Sequence, residues 1–229
     1  MQIENLIWDS SFFNLNIGKM VINKVSDFVT LYTLLQNNQE FDLIYIFSNF
    51  EIDRIKHLLV DKKARFVLVN KTLDNSKIGI SVEEYKSQEV SNSLLNLTFQ
   101  SGQHSRFLLD PKFGKDKFKQ LYRIWIEKSV QKLIANNVYV TKQDDMLTGF
   151  ITEGMKGNEM NIGLIATDEN YRGLGLGKAL VHQVIADFNA SNQSLLSVYT
   201  QLDNKTACTF YEKCGFKLDN VEYIYHYWK

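Results

Sequence analysis

Three glycines stand at alternating positions in the segment NYRGLGLGKAL, residues 170–180. An apolar run typical of a strand precedes the segment, and apolar residues at helical spacing follow it, so the glycines lie where a helix begins. The first backbone N–H groups of a helix lack partners within the helix, and with the helix dipole they form a site for an anion. Gly173, Gly175 and Gly177 allow a phosphate to approach closely because they carry no Cβ atom.

The spacing of these glycines excludes two common phosphate-binding motifs. A P-loop ends in Gly-Lys followed by Ser or Thr, whereas Ala179 follows Lys178 and the first glycine is too near. A dinucleotide-binding GxGxxG motif needs a third glycine, but that position holds Lys178 or Leu180, depending on the starting glycine. For the glycines alone, a turn that only packs a helix against a sheet remains an alternative.

Alternating strand and helix patterns surround this segment. Up to about residue 80 they predict strands over 18–23, 42–48 and 64–70, with helices over 27–36 and 49–61 between them. This order is typical of a small α/β unit. From about residue 81 they predict two helices, a hairpin turning at Asp144 and Asp145, a strand over 159–167, the glycine-led helix, and then strand, helix and strand.

The glycine segment also contains a more selective motif. Arg172, Gly175 and Gly177 form R-x-x-G-x-G between a strand and a helix. This motif resembles the Q/R-x-x-G-x-G/A signature of the GCN5-related N-acetyltransferase (GNAT) family, and the resemblance covers roughly residues 81–229. It implies an α/β fold with a mixed, twisted central sheet flanked by helices, acetyl-CoA as cosubstrate, and no metal. Residues 1–80 would form a smaller N-terminal α/β domain that contributes to acceptor binding.

The resemblance also implies which residues hold acetyl-CoA. In the family, backbone N–H groups of the glycine segment bind the pyrophosphate, and the preceding strand offers its backbone to the pantetheine arm, where one N–H can hold the thioester carbonyl. The corresponding residues here are Ile165, Ala166, Thr167, Arg172, Gly173, Gly175, Leu176, Gly177 and Lys178.

A second segment, residues 201–216, resembles the family's N-xx-A-xxx-Y-xxx-GF run. It implies that Asn204 contacts the pantetheine arm; capping of the following helix is a compatible alternative. It also implies that Tyr211 is the general acid for the departing CoA thiolate, because a phenol with a pKa near 10 stays protonated at pH 7. The alternative is that Tyr211 is an apolar core residue of an amphipathic helix.

Short motifs near residues 8–20, 105–130 and 223–228 resemble a narrower subgroup, the dTDP-fucosamine acetyltransferases and related dTDP-4-amino-4,6-dideoxy-sugar N-acetyltransferases of bacterial surface polysaccharide assembly. This resemblance implies a nucleotide-linked amino sugar as acceptor. Arg106 is the main candidate for contacting it, because a guanidinium suits phosphate oxygens, but structural pairing is an equal alternative. Further candidates are the cations Lys112 and Arg123 and the aromatic residues Phe107, Phe113, Tyr122 and Trp125, with core packing favoured for the last two.

Several functional questions stay open from sequence alone. The acceptor could instead be an amino acid, polyamine, antibiotic or protein N-terminus, or the chain could be a non-catalytic acyl-CoA-binding module. The base that deprotonates the amine is not identified, with Glu153, Glu159 and Asp168 as candidates. His104 and His182 are equally ambiguous.

Composition limits the compartment and the partners. Lys plus Arg and Asp plus Glu both number 26, which argues against nucleic acid or an anionic membrane as the main partner. Cys208 and Cys214 fit no metal or redox spacing, so we expect reduced thiols. The start of the chain has no pattern of a signal peptide, so the cytoplasm is the expected location. The GNAT resemblance also suggests a homodimer.

Overall fold

The computed structural model describes residues 2–69 and 79–229. Within these ranges the chain forms ten strands and seven α-helices. The strands are β1 (Glu4–Asn5), β2 (Ile17–Ile22), β3 (Leu43–Ser48), β4 (Leu59–Leu68), β5 (Glu83–Glu84), β6 (Asn137–Gln143), β7 (Met146–Lys156), β8 (Glu159–Thr167), β9 (Leu196–Gln201) and β10 (Lys217–Trp228). The helices are α1 (Ile7–Phe13), α2 (Phe28–Gln36), α3 (Asn92–Ser101), α4 (Arg106–Leu109), α5 (Lys115–Val130), α6 (Leu176–Ala190) and α7 (Lys205–Lys213).

All of these strands belong to one mixed sheet, in the order β1-β2-β3-β10-β4-β9-β8-β7-β6-β5. The pairs β2–β3 and β8–β9 are parallel, and the other seven neighbouring pairs are antiparallel. A mixed sheet flanked by helices confirms the predicted fold class. Strand β4 lies between β10 and β9, so the sheet crosses the predicted boundary between residues 80 and 81.

The role of that boundary stays a prediction. Asn70, the last residue of the strand predicted over 64–70, lies outside the described residues, as do Met1 and the rest of 70–78. The division into an acceptor-binding part, residues 1–80, and an acetyltransferase part, residues 81–229, is therefore a proposal about function. It does not describe two separate sheets.

The hairpin of β6 and β7 turns where the sequence predicts it. Gln143 pairs with Met146, leaving Asp144 and Asp145 as a two-residue loop. Both loop residues have positive φ, 48° and 63°. Two such residues match the twist of antiparallel strands, and Asp tolerates this conformation better than most residues because its short side chain can form local hydrogen bonds.

The helix predicted over residues 49–61 is wrong. The structure has a 3₁₀ segment, Asp53–Leu58, and then strand β4 from Leu59. Ile52 and Ile55 are buried, so residues spaced i, i+3 do lie on an inward face here. A 3₁₀ turn places such residues on one face as well as an α-helix does, so the spacing did not distinguish the two. Pairing of Leu59 with Tyr225 of β10 then carries the chain on as a strand.

The two faces of β4 have different characters because successive side chains alternate. Ala64, Phe66 and Leu68 belong to a core cluster that includes residues of α6 and α7. By the same alternation, Asp61 and Lys63 face the opposite side, where α4 and α5 pack. In the described part of the chain no helix is long and apolar enough to cross a membrane.

Candidate active site

The parallel strands β8 and β9 separate partway along their length. They pair at three positions, from Met160 opposite Leu196 to Ile162 opposite Val198. Past these positions β8 continues to Thr167 and β9 to Gln201 without further pairing between them. A gap therefore opens within the sheet, and the backbone of β8 is exposed along one side of it.

The backbone of β8 presents alternate residues to this gap. The N–H of Asp168 donates to the carbonyl of Thr148 on the β7 side, at 2.9 Å. In an antiparallel ladder the bonding direction alternates, so the backbone groups of Ala166 also face β7, where Phe150 is its partner. The N–H and C=O groups of Ile165 and Thr167 therefore point toward the gap.

A β-bulge precedes these residues and sets their alternation. The register of β7 and β8 shifts between Ile151 and Glu153, and Thr152 lies at the shift. The Leu164 N–H donates to Thr152 Oγ1 at 2.8 Å, so a side chain replaces the missing ladder bond. A Cβ atom on Gly163 would lie 2.7 Å from the same oxygen, which requires glycine there. Sequence reasoning did not identify Thr152, although a Thr in an apolar strand opposite a Gly is the available signal.

The glycine segment forms the entry to α6 close to this gap. Gly173 and Gly175 have φ of 81° and 86°, which favour glycine, and Gly175 caps the helix. The N–H of Ala179 makes the first intrahelical bond, to the carbonyl of Gly175 at 3.0 Å. The N–H groups of Leu176 and Gly177 come before this bond and point out of the helix end.

The described residues leave space around two of these glycines. Among those residues, a Cβ atom on Gly173 would meet nothing within 4 Å, and one on Gly175 would meet only Ile80 Cδ1, at 3.5 Å. Gly177 has a different role, because a Cβ atom there would lie 3.4 Å from the ring of Phe210 in α7. Arg172 is exposed at the edge of the segment. The first two glycines leave the helix end open, and the third lets α6 approach α7.

Asn204 caps α7, as the structural alternative required. Its Oδ1 accepts a hydrogen bond from the N–H of Ala207 at 3.1 Å. A contact with the pantetheine arm is compatible with this bond and stays a prediction.

Tyr211 of α7 lies in the core with 3% of its surface exposed. Its ring packs against Phe66 and Phe216, with centroids 6.0 and 5.9 Å away. Burial raises the pKa of the phenol, and the nearby thiols of Cys214 and Cys208 add to the shift. The hydroxyl is therefore protonated throughout the neutral range. Tyr211 therefore packs as a core residue of an amphipathic helix. Its raised pKa is compatible with a general acid. The role as general acid stays a prediction.

Arg106 begins α4 and is half-buried on the opposite face of the sheet. Its guanidinium lies over the rings of Phe107 and Tyr45, at 4.3 and 5.0 Å from their centroids. Its charge also reaches Asp9 of α1, where it opposes the rise in pKa caused by burial. The Arg106 Nε atom is buried and has no hydrogen-bond partner in the described part of the chain.

Three other buried polar atoms near Arg106 share this property. Tyr45 Oη, Asp61 Oδ1 and His226 Nε2 are buried without a hydrogen bond of normal length and angle among the described residues, although Arg106 lies close enough to Tyr45, and Gln201 to Asp61, to lower the pKa of each. We call Tyr45, Asp61, Arg106 and His226 the Arg106 cluster. Sequence reasoning identified only Arg106, because Asp61 fell at the end of a wrongly predicted helix and the other two lie in apolar strands.

Hydrogen bonds fix the protonation of His226. Its Nδ1 lies 2.6 Å from Asp110 Oδ2, and Trp228 Nε1 donates to the same oxygen at 2.9 Å. Burial lowers the pKa of His226 to about 4, so the ring is neutral. Burial opposes ionisation of Asp110, but hydrogen bonds from His226 and Trp228 outweigh it and hold its pKa below the usual value. The Nδ1–H thus donates to a carboxylate, and Nε2 carries the lone pair.

Asp61 is a buried carboxyl group on β4, level with the end of the neighbouring strand β9. The Asp61 side chain is 8% exposed. Two residues later, Lys63 pairs with Gln201 of β9. Gln201 lies three residues beyond Val198, where the pairing of β9 with β8 ends. Burial raises the pKa of Asp61 to about 6, although Arg106 and Lys63 oppose the shift. The carboxyl group is mostly ionised at pH 7 and changes charge just below it.

The carboxylates that sequence reasoning suggested as bases have structural partners. Glu153 accepts from Asn137 Nδ2 at 2.6 Å, Asp168 caps the 3₁₀ turn before the glycine segment, and Glu159 pairs with Arg65. Glu159 also accepts from Ser197 Oγ at 2.8 Å. None of these observations leads to a role at the gap.

The other acceptor-site candidates mostly pack or face solvent. Phe107, Phe113 and Tyr122 are buried together, and the half-buried Trp125 packs against them, as core packing predicts. Arg123 pairs with Glu127 on the exposed side of α5. Lys112 lies over the ring of Trp228, at 5.1 Å from its centroid. His104 is exposed.

Comparison with known proteins agrees with this geometry. Residues 135–218 match the model of the acetyltransferase (GNAT) domain family, and they include β8, the glycine segment, α6 and α7. For this part of the chain, the resemblance to the GNAT family seen in the glycine motif is therefore confirmed.

Among curated proteins, the chain is similar to the spore coat polysaccharide biosynthesis protein SpsD of Bacillus subtilis (strain 168). The two are 23% identical over 138 residues, which cover 60% of this chain and 47% of SpsD. The chain thus matches about half the length of this relative.

Two solved structures share the fold. A conserved protein of unknown function from Staphylococcus epidermidis ATCC 12228 aligns with a TM-score of 0.59 and 14% identity, covering 92% of this chain and 82% of that one. A tandem GNAT protein from the clavulanic acid biosynthesis pathway aligns with a TM-score of 0.53 and 11% identity, covering 82% and 65%. Identities this low show the fold alone.

Proposed function

We propose that this protein is an acetyl-CoA-dependent N-acetyltransferase. The observation that carries the proposal is the gap between β8 and β9, which opens beside the glycine-led end of α6. The gap offers free backbone groups to an extended ligand, and the helix end offers N–H groups to an anion. A CoA thioester combines these two features, because a diphosphate precedes its extended pantetheine arm.

The residues around the gap fit each part of acetyl-CoA. The N–H groups of Leu176 and Gly177 bind the diphosphate, while Arg172 and Lys178 supply positive charge nearby. The backbone groups of Ile165 and Thr167 bind the pantetheine arm as a neighbouring strand would. Bound there, acetyl-CoA supplies an activated acetyl group.

Tyr211 is the proposed general acid. Its hydroxyl donates a proton as negative charge develops on the departing sulfur. A raised pKa keeps the phenol protonated under all ordinary assay conditions. Tyr211 lies on α7, the helix that Asn204 caps, within the segment that resembles the family pattern.

The proposed acceptor is a nucleotide-linked 4-amino-4,6-dideoxy sugar. The subgroup resemblance supports it, as does the involvement of the relative SpsD in polysaccharide biosynthesis, which its name states. Arg106 lies on the face of β4 opposite Tyr211, and it would contact the acceptor there. Residues 1–80 contribute Asp9, Tyr45 and Asp61 to the surroundings of Arg106.

The test is release of CoA in the presence of acetyl-CoA and dTDP-4-amino-4,6-dideoxygalactose, beside a panel of amino acids, polyamines, aminoglycosides and peptides. We expect release with the nucleotide-linked amino sugar well above the rate without an acceptor. Faster release with another amine class would correct the acceptor and keep the enzyme. Binding of acetyl-CoA without release in any reaction would instead support a non-catalytic module.

A further inference from the structure

We infer that the Arg106 cluster binds the amine-bearing end of the acceptor and that Asp61 takes the proton from its ammonium group. This inference rests on the proposed acetyl transfer and adds the site and the base that the sequence left unassigned.

The first argument is the set of unpartnered atoms. Tyr45 and His226 are 1% and 2% exposed, and Asp61 is 8% exposed, yet each has a polar atom without a hydrogen-bond partner in the described residues. Buried polar atoms in native proteins nearly always have a partner, because leaving them unbonded is costly. Several such atoms in one place indicate a site for a polar ligand.

The second argument is that these groups lie around the Arg106 guanidinium. The rings of Tyr45 and His226 lie 4.9 Å apart, and the Arg106 guanidinium lies 5.0 Å from the Tyr45 ring. The charge of Arg106 acts on the pKa values of Tyr45, Asp61 and His226 alike. The four groups come from β3, β4, α4 and β10, so the sheet and one helix hold them together. Arg106 itself is half-buried, which places the cluster next to solvent.

The donors and acceptors of the cluster define the ligand class. The Asp61 carboxylate and the neutral His226 Nε2 accept hydrogen bonds, the Arg106 Nε–H donates, and the Tyr45 hydroxyl can do either. An amine next to hydroxyl or ether oxygens satisfies all of them. A purely apolar amine leaves buried groups unbonded, which strongly disfavours it. The cluster therefore fits an amino sugar better than an alkylamine.

The position of Asp61 suits a base. Tyr211 packs against Phe66, whose side chain lies on one face of β4, while alternation puts Asp61 on the other. The gap between β8 and β9 runs through the same sheet. An acceptor at the Arg106 cluster and an acid at Tyr211 thus approach the thioester from opposite faces.

The proton balance is complete with these groups. Asp61 takes one proton from the R–NH₃⁺ acceptor, and the freed lone pair forms the C–N bond to the acetyl carbon. The C–S bond breaks with its electrons on sulfur, and Tyr211 donates a proton to that sulfur. The proton left on the new amide nitrogen returns to the phenol through solvent, and Asp61 releases its proton to water. The net change is R–NH₃⁺ plus acetyl-CoA to R–NH–acetyl, CoA-SH and H⁺.

The charges facing Asp61 set the pH range of this step. Burial raises its pKa to about 6 and the nearby Asp203 adds to the rise, whereas Arg106, Lys63 and the Gln201 side chain oppose it. Tyr122 of α5 also lies within reach of its charge. Because the base must be ionised, kcat/KM should fall as pH drops through about 6.

The experiment compares Asp61→Asn with Asp203→Asn in the full-length protein. Asp203 lies near Asp61 but is exposed and pairs with Lys62 at 3.6 Å, so it controls for a general change of charge. We expect Asp61→Asn to lower kcat about 100-fold or more, since general base catalysis contributes about that much. Asp61→Asn should keep the wild-type Kd for acetyl-CoA. Its kcat/KM should no longer show the acid limb, which is the fall of kcat/KM as pH drops through about 6. Asp203→Asn should keep the rate and the fall at low pH, and should move that fall only slightly toward lower pH, because Asp203 is the smallest contributor to the raised pKa of Asp61.

Each outcome decides the inference. If the wild type turns over an amine and Asp61→Asn keeps its rate and pH profile, the inference falls while the proposed function stands. If the wild type acetylates no amine in the panel, both fall. Loss of acetyl-CoA binding in Asp61→Asn would show a folding defect, and Tyr45→Phe then decides. That variant should raise KM for the amino sugar severalfold without moving the acid limb, and an unchanged KM would overturn the inference.

Discussion

Asp61 shows how one residue can work against stability in favour of a site. A carboxylate held away from water is disfavoured, and here its Oδ1 has no compensating hydrogen bond among the described residues. Burial accordingly raises its pKa to about 6. Such groups concentrate at functional sites, because a structural carboxylate normally gains partners on folding.

This shift predicts how stability depends on pH. The unfolded Asp has a pKa near 4 and the folded one a pKa of about 6, so the folded state binds this proton more tightly. Folding stability from Asp61 is therefore highest below pH 4 and is lost as pH rises through 6. Two pKa units correspond to about 3 kcal/mol.

Urea unfolding of wild type and Asp61→Asn at several pH values measures this effect. The stability of Asp61→Asn relative to wild type should increase by roughly 2–3 kcal/mol between pH 4 and pH 8. The same comparison with Asp203→Asn should show little dependence on pH. A constant difference for Asp61→Asn would show that its carboxyl group has an ordinary pKa.

Tyr211 leads to a prediction about chemistry rather than binding. Tyr211→Phe keeps the ring that packs against Phe66 and Phe216 and removes only the hydroxyl. We expect kcat to fall about 100-fold, the lower range for a general acid, with an unchanged Kd for acetyl-CoA. Tyr85→Phe, which removes a hydroxyl bonded to the carbonyl of Glu89, is the matched control. Equal turnover of both variants would remove Tyr211 from the mechanism.

Single residues were predictable where local chemistry defines them and not where tertiary contacts do. The positive φ of Gly173 and Gly175 follows from a glycine segment at a helix start. The surroundings of Asp61 and His226 depend on strands β3, β4 and β10, which are far apart in sequence. No local pattern indicates that the side chains of residues 45, 61 and 226 all lie near Arg106.

At the scale of elements, the entry to α6 can be tested with glycine substitutions. Gly175→Ala forces a Cβ atom into a φ of 86°, and we expect a loss of about 1 kcal/mol in stability. The methyl group would also stand at the helix end that we propose binds the diphosphate, so the Kd for acetyl-CoA should rise at least tenfold.

Gly157→Ala is the matched control for that substitution. Gly157 also has positive φ, 60°, and lies in the turn between β7 and β8 with open space around it. It should lose similar stability in a thermal melt while binding acetyl-CoA like the wild type by calorimetry. Equal affinities for the two variants would argue against a diphosphate at the start of α6.

Elements with a clear period were predicted well, and the exception has a physical cause. Helices α5 and α6 follow long runs of apolar residues at helical spacing, and the β6–β7 turn follows from two adjacent Asp residues. Residues 49–61 carry only two apolar repeats, which a 3₁₀ turn also satisfies. The free backbone of β8 followed only from the family resemblance, because side-chain identity does not determine where backbone pairing ends.

At the scale of the whole molecule, the sheet joins the two predicted parts of the chain. Strand β4 pairs with β9 over Lys63–Leu68 and with β10 over most of its length. Removing residues 1–80 would uncover long edges of both partners and the apolar face around Val198 and Phe216.

We therefore expect that neither residues 1–80 nor residues 81–229 fold when expressed alone. Circular dichroism and thermal melts of the purified fragments check this. A cooperative melt of residues 81–229 by itself would show that the acetyltransferase part is an independent domain and that β4 is only an addition to its sheet.

The central claim is that the opened sheet and the start of α6 form one binding site for a CoA thioester. A crystal structure of the protein with CoA tests it most directly. We predict diphosphate oxygens about 2.7–3.2 Å from the backbone nitrogens of Leu176 and Gly177, with the pantetheine arm alongside Ile165 and Thr167. A diphosphate bound elsewhere, with the helix start filled by the Ile80 side chain, would contradict the account.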